Sequence, residues 1–158
     1  MRMDHDRLVC GLATAFDVPD GNGGEPWSAD QFRDFVDAGY PVPLLLNHER
    51  PINSWGLTPS VGTARKFAAV EYPVKGLLCL AEVDYADGWG DSILRDVGKA
   101  LSQEYLPSVW GFSVAAKTLE DGQMWPVEVS ITRKPASPTH GFSHAVLPLY
   151  RPGNFAER

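Results

Sequence analysis

The dipeptide Asp121-Gly122, set between two stretches in which apolar and polar residues alternate, constrains this chain more than any other feature of its sequence. Gly and Asp accept positive φ, so the pair favours a two-residue loop joining antiparallel strands, and residues 109–117 and 124–132 are expected to form a hairpin. With Asp121 and Gly122 at its centre, Glu120 faces Gln123. Counting outward, Ser113 faces Ser130 and Ala115 faces Glu128. Side chains in a strand alternate between faces. Gly111, Ser113, Ala115, Glu128 and Ser130 therefore share one face, and Trp110, Phe112, Val114, Val127, Val129 and Ile131 share the other. The first face pairs a hydroxyl with a carboxylate in a diagonal relation of about 7 Å. That is too long for a direct hydrogen bond but leaves room for an imidazole.

The rest of the chain reads as short elements separated by turns. Residues 8–16 (LVCGLATAF) form an apolar run of strand length, ended by the turn chemistry of DVPDGNGGE. A first helix follows: Ser28 caps it with Gln31 three residues on, Phe32, Phe35 and Val36 form its apolar face, and Gly39 with Pro41 ends it. Residues 43–47 (PLLLN) form a buried strand that delivers His48 at its end. Residues 61–70 and 77–84 read as two further strands. The spacing of Ile93, Leu94, Val97 and Leu101 predicts a second helix over about residues 91–105. The tail from Pro135 has four prolines and no period, so it is expected to be irregular. About six strands and two helices without βαβ alternation predict a β-rich α+β domain, a small antiparallel barrel with flanking helices.

A length of 158 residues with 44% apolar side chains favours one domain over residues 1–158, and 15 Gly with 13 Pro agree with many turns. The chain carries 14 basic and 20 acidic residues, a net charge of −6, with no basic block, which argues against nucleic acid or an anionic membrane as partner. No apolar run approaches the roughly 18 residues of a membrane span, and MRMDHDR lacks the apolar stretch of a signal peptide. The expectation is a soluble, cytosolic protein. Cys10 and Cys79 sit in apolar strand-like runs, where a free cysteine serves as a small hydrophobe.

Among the polar residues, His48 at a strand end suits a general base, and it equally suits a surface position. A serine hydroxyl is a weak nucleophile until a base takes its proton, and a carboxylate that orients the base improves it. Ser113, His48 and Glu128 supply those three groups. The alternative on pattern alone is an amphipathic hairpin whose polar face is wet. A three-residue loop would shift the register by one and separate Ser113 from Glu128. His140 and His144 have the spacing of helical metal ligands, but Pro138 and Gly141 oppose a helix there and no further ligands complete a zinc site. There is no Gly-rich phosphate loop. No metal or cofactor is expected.

Four segments, in order, resemble the tailed-phage prohead (capsid maturation) proteases, which are related in fold to the herpesvirus assemblins. PLLLNHE is similar to the family's apolar strand ending in a catalytic His, and GWGDSILRDVGKALSQEY to the helix before its nucleophile strand. GFSVAA is similar to the family's serine segment and VEVSITRKPASP to its Glu-Val-Ser segment. The resemblance spans residues 8 to about 138 and implies a serine endopeptidase with Ser113 as nucleophile, His48 as base and Glu128 as the third member. A second alignment matches Gly111-Phe112 instead and moves the nucleophile towards Ser108. Also implied are scaffolding protein and major capsid protein as substrates, self-cleavage, a homodimer, and action inside the procapsid in the host cytoplasm. The rival reading is an inactive procapsid assembly or scaffold component that keeps the barrel and uses the hairpin face for binding.

Overall fold

Leu8–Ala15, the first apolar run, forms β1 and is buried almost throughout. The computed structural model describes residues 7–18, 25–46, 60–71, 74–84, 92–95, 110–132 and 147–148. Phe16 N–H donates to the Lys75 carbonyl at 2.9 Å and Asp17, at φ 63°, donates its N–H to the Trp27 carbonyl at 2.8 Å, which turns the chain out of β1. The predicted capping pair is present, with Ser28 N–H donating to Gln31 Oε1 at 2.9 Å. The first turn, Ala29–Phe32, is 3-10, and α1 (Arg33–Ala38) continues it until Gly39, at φ 70°, stops it. Left-handed backbone there is what glycine accepts without strain.

Strands β2 (Val42–Leu46), β3 (Gly62–Val70), β4 (Gly76–Val83), β5 (Gly111–Thr118) and β6 (Met124–Thr132) follow. Within the tail read as irregular, Leu147–Pro148 forms a short β7 against β1. One sheet holds all seven in the order β5-β6-β2-β3-β4-β1-β7. Every neighbouring pair is antiparallel except β2 and β6. The sheet curls so that β1 packs against β5 without a ladder between them. The β-rich α+β class expected from the sequence is the one observed, in the form of a half-barrel. Residues 92–95 are helical, with Ile93 fully buried, and the remainder of the expected second helix lies outside the described residues.

Aromatic rings hold α1 to the sheet. Phe35 meets Phe67 edge-on at 4.9 Å and Trp125 at 5.5 Å, while Phe32 meets Phe16 at 5.7 Å and Trp27 at 5.4 Å. The hairpin tip grips the same element through one side chain: Gln123 Oε1 accepts from Asp34 N–H at 3.0 Å and Gln123 Nε2 donates to the Asp30 carbonyl at 2.8 Å. Asp34 N–H belongs to the first turn of α1, where an intrahelical acceptor is missing, so Gln123 caps the helix from another part of the chain. At the opposite side of the sheet, Arg7 Nε donates to the Val83 carbonyl at 2.7 Å and Arg7 Nη2 pairs with Asp84 Oδ1 at 3.0 Å, which ties the start of β1 to the end of β4.

Candidate active site

The β5/β6 hairpin departs from its expected turn and yet delivers the expected partners. Leu119, not Glu120, faces Gln123: Leu119 N–H donates to the Gln123 carbonyl at 2.8 Å, and Gly122 N–H to the Leu119 carbonyl at 3.0 Å, with Gly122 at φ 87°. The loop therefore has three residues, a turn closed by a left-handed glycine. Near it the register is offset by one, with Thr118 opposite Met124, Lys117 opposite Trp125 and Ala116 opposite Pro126. A bulge then places Ala115 opposite Glu128, and from there Val114 faces Val129, Ser113 faces Ser130 and Gly111 faces Thr132. The extra residue is Val127. Strand alternation predicts the apolar face for Val127, yet it is 43% exposed, because a bulged residue leaves the ladder. Two departures thus cancel, and Ser113, Ala115, Glu128 and Ser130 share a face as the sequence predicted.

That face is not wet. Ser113 is 4% exposed, Glu128 7% and Ser130 0%, and Thr132, two residues beyond Ser130 on the same face, is buried as well. An amphipathic hairpin with a solvated polar side is thereby excluded. Burying hydroxyls and a carboxylate costs about 1–3 kcal/mol each unless they are hydrogen-bonded; Glu128, Ser130 and Thr132 all engage partners, while the second carboxylate oxygen of Glu128, Oε2, is buried without a hydrogen bond. Ser113 differs. Among the described residues no group hydrogen-bonds its hydroxyl, and that oxygen is not one of the sealed polar atoms. A hydroxyl in a buried setting with access and with its hydrogen bonds open is what a nucleophile awaiting a base requires.

The third strand of the site is β2. It runs parallel to β6 with Leu44 beside Val129, Leu45 beside Ser130 and Leu46 beside Ile131. Ser113, Ser130 and Leu45 thus form one row across β5, β6 and β2. Leu45 is buried, so the row passes from polar to apolar at β2. His48, Ser108, His140 and His144 lie outside the described residues. Thr132 joins the face that the alternation predicts for Glu128 and Ser130, and its parity is the signal in the sequence that marks it. Among the described residues no cluster of three or more His, Cys, Asp or Glu side chains is placed to hold a metal ion. No described helix is long and apolar enough to cross a membrane.

Kaposi's sarcoma herpesvirus protease, in a structure with an allosteric inhibitor, matches this structure with a TM-score of 0.51 and 18% identity over 89% of this chain and 74% of that one. The fold is that of the herpesvirus proteases. Varicella-zoster virus protease matches with a TM-score of 0.48 and 15% identity, over 88% of this chain and 62% of its own. The same Kaposi's sarcoma herpesvirus enzyme bound to a hexapeptide phosphonate inhibitor is covered over 58% of its length. This chain thus spans less than two thirds of the varicella-zoster virus protease chain. At these identities the likeness is one of fold. No protein-family model matches the sequence, and no curated protein matches it.

Proposed function

We propose that this chain is a serine endopeptidase of capsid maturation, with Ser113 as nucleophile, His48 as general base and Glu128 as the carboxylate that orients the base. One observation carries this reading: the bulge at Val127 puts Ser113 and Glu128 diagonally on one buried face, beside the strand that leads to His48. A diagonal of about 7 Å accepts an imidazole bridging the two. In the proposed reaction the imidazole takes the Ser113 proton as Oγ attacks the scissile carbonyl. It then returns that proton to the leaving amine, and water releases the acyl group by the same steps. Glu128 holds the imidazole tautomer and stabilises the imidazolium.

The sequence resemblance to prohead proteases and the herpesvirus protease fold together support scaffolding protein and major capsid protein as substrates, within the procapsid in the host cytoplasm. A homodimer and self-cleavage belong to the same reading.

A fluorophosphonate probe tests the chemistry. Peptide mapping is expected to find the adduct on Ser113, and Ser113→Ala to remove it while the protein stays folded, since truncating one hydroxyl opens little space. An adduct on Ser108 supports the second alignment. No adduct in the wild-type protein supports the inactive assembly component. A histidine base works in its neutral form, so labelling should rise through about pH 6.5 and persist above it. A rate flat from about pH 5 to 8 would remove His48 from the scheme.

A further inference from the structure

We propose that the Gln123 carboxamide is the bolt of a two-state latch between the β5/β6 hairpin and the helix it touches. Asp34 N–H and the Asp30 carbonyl stand four residues apart, the pair that an unbroken α-helix joins by a hydrogen bond. The carboxamide bridges them: Asp34 N–H donates to Gln123 Oε1 at 3.0 Å, and Gln123 Nε2 donates to the Asp30 carbonyl at 2.8 Å. It sits where the helix breaks. The Asp30 carbonyl also accepts Arg33 N–H in the 3-10 turn, Phe32 stands at φ −106° and ψ 4°, outside the α region, and α1 starts at Arg33. A side chain inserted into the i to i−4 ladder causes such a break, and the other usual causes, Gly and Pro, are absent from residues 29–38. Withdrawing the carboxamide leaves Asp34 N–H and the Asp30 carbonyl free to bond each other, which joins the 3-10 turn and α1 into one helix over residues 29–38. The exchange trades hydrogen bonds for hydrogen bonds, so the two states lie close in energy.

The hairpin depends on the same bolt. Among the described residues, no other hydrogen bond ties residues 116–126 to the rest of the chain, and β2 pairs with β6 only at Val129, Ser130 and Ile131. The rings of Phe35 and Tyr40 against Trp125 add to the contact. The Val127 bulge separates this tip from Ser113 and Glu128, so the tip swings about the bulge while those two stay in register. The latch does not depend on the chemistry assigned to Ser113.

The competing explanation is a plain helix cap, whose loss leaves Asp34 N–H open to solvent. Amide hydrogen exchange and Cα chemical shifts by NMR, in the full chain carrying Gln123→Ala, separate the two. The latch predicts that Leu119 N–H and Gly122 N–H, which close the hairpin loop, exchange about tenfold faster or more, the weight of one hydrogen bond. Asp34 N–H should keep its wild-type protection, because it turns to the Asp30 carbonyl, and Phe32 Cα should shift to helical values. Amides of β4 serve as the control and should not change. Faster exchange at Asp34, an unchanged Phe32 shift, or wild-type exchange at Leu119 and Gly122 overturns the latch. So does a rise that β4 shares, which would be a general loss of stability. If Gln123→Ala does not fold, Gln123→Asn, with the carboxamide on a stem one carbon shorter, is read in the same way.

Discussion

Cys79 is fully buried on β4, and that burial pushes its thiol far above the ordinary value near 9, with Cys10 on the adjacent strand adding to the shift. Burial raises the Cys10 thiol as well. Cys79 lies opposite Gly11 in the ladder, so the side chain of Cys10 leaves the opposite face of the sheet, and both cysteines are free thiols. A thiol held protonated by folding stabilises the native state at every pH below its unfolded value and loses that contribution as pH rises beyond it. Stability should therefore be level up to about pH 8 and decline above about pH 9, and Cys79→Ala should flatten the decline. An unchanged alkaline slope in that variant, measured by urea unfolding, would assign the slope to other groups. Gly62 presents a second constraint. A Cβ there would sit on the Glu82 carbonyl oxygen of β4, so Gly62→Ala forces β3 and β4 apart. A loss on the order of 3 kcal/mol is expected, readable as a fall in melting temperature; a neutral result would mean that the two strands part easily. The structural use of the cysteines was legible because both lie in apolar runs. The demand at Gly62 was not, because it depends on a strand that lies elsewhere in the sequence.

At the scale of elements, the β5/β6 hairpin shows how a register can be read correctly through an incorrect turn. Asp121-Gly122 identifies the hairpin, but the dipeptide alone does not say whether Glu120 belongs to the strand or to the loop. The structure puts it in the loop, and the bulge restores the alternation. Pro126 was the available signal, since a residue without an N–H is accepted in a sheet at an edge or a bulge. Val127 concealed it by resembling a core residue. Because Ala116–Pro126 and Ala115–Glu128 are consecutive pairs on either side of Val127, deleting that residue should leave both pairs and their faces intact. The deletion variant should fold and should still place any fluorophosphonate adduct on Ser113. A collapsed fold would show that the bend made by the bulge, beyond its count of residues, is required to seat β6 beside β2. The parallel contact of β2 with β6 was illegible for a different reason. Neither strand carries a mark of its partner, and the expected barrel was antiparallel throughout.

Across the whole molecule, β4 lies between β3 and β1, and its inward side chains, including Leu77, Cys79, Ala81 and Val83, have no exposed surface. β4 has ladder partners on both sides, whereas among the described residues β7 pairs with β1 alone, at Leu147 and Pro148. Hydrogen exchange followed by mass spectrometry should accordingly be slowest in β4 and fast in β7. Comparable protection in the two would indicate a different distribution of stability. The one parallel contact also has a consequence in time. By the end of β4, at Val83, the chain already contains the antiparallel set of β1, β3 and β4. Leu44, in contrast, waits for Val129 to be synthesised, a delay of several seconds at about 5–20 residues per second. The ribosome thus releases β1, β3 and β4 before β5 and β6. A truncated chain ending before β6 carries Ser113 without the strand that bears Glu128 and Ser130, so a nascent chain gains its complete set of buried polar side chains only once β6 has been made.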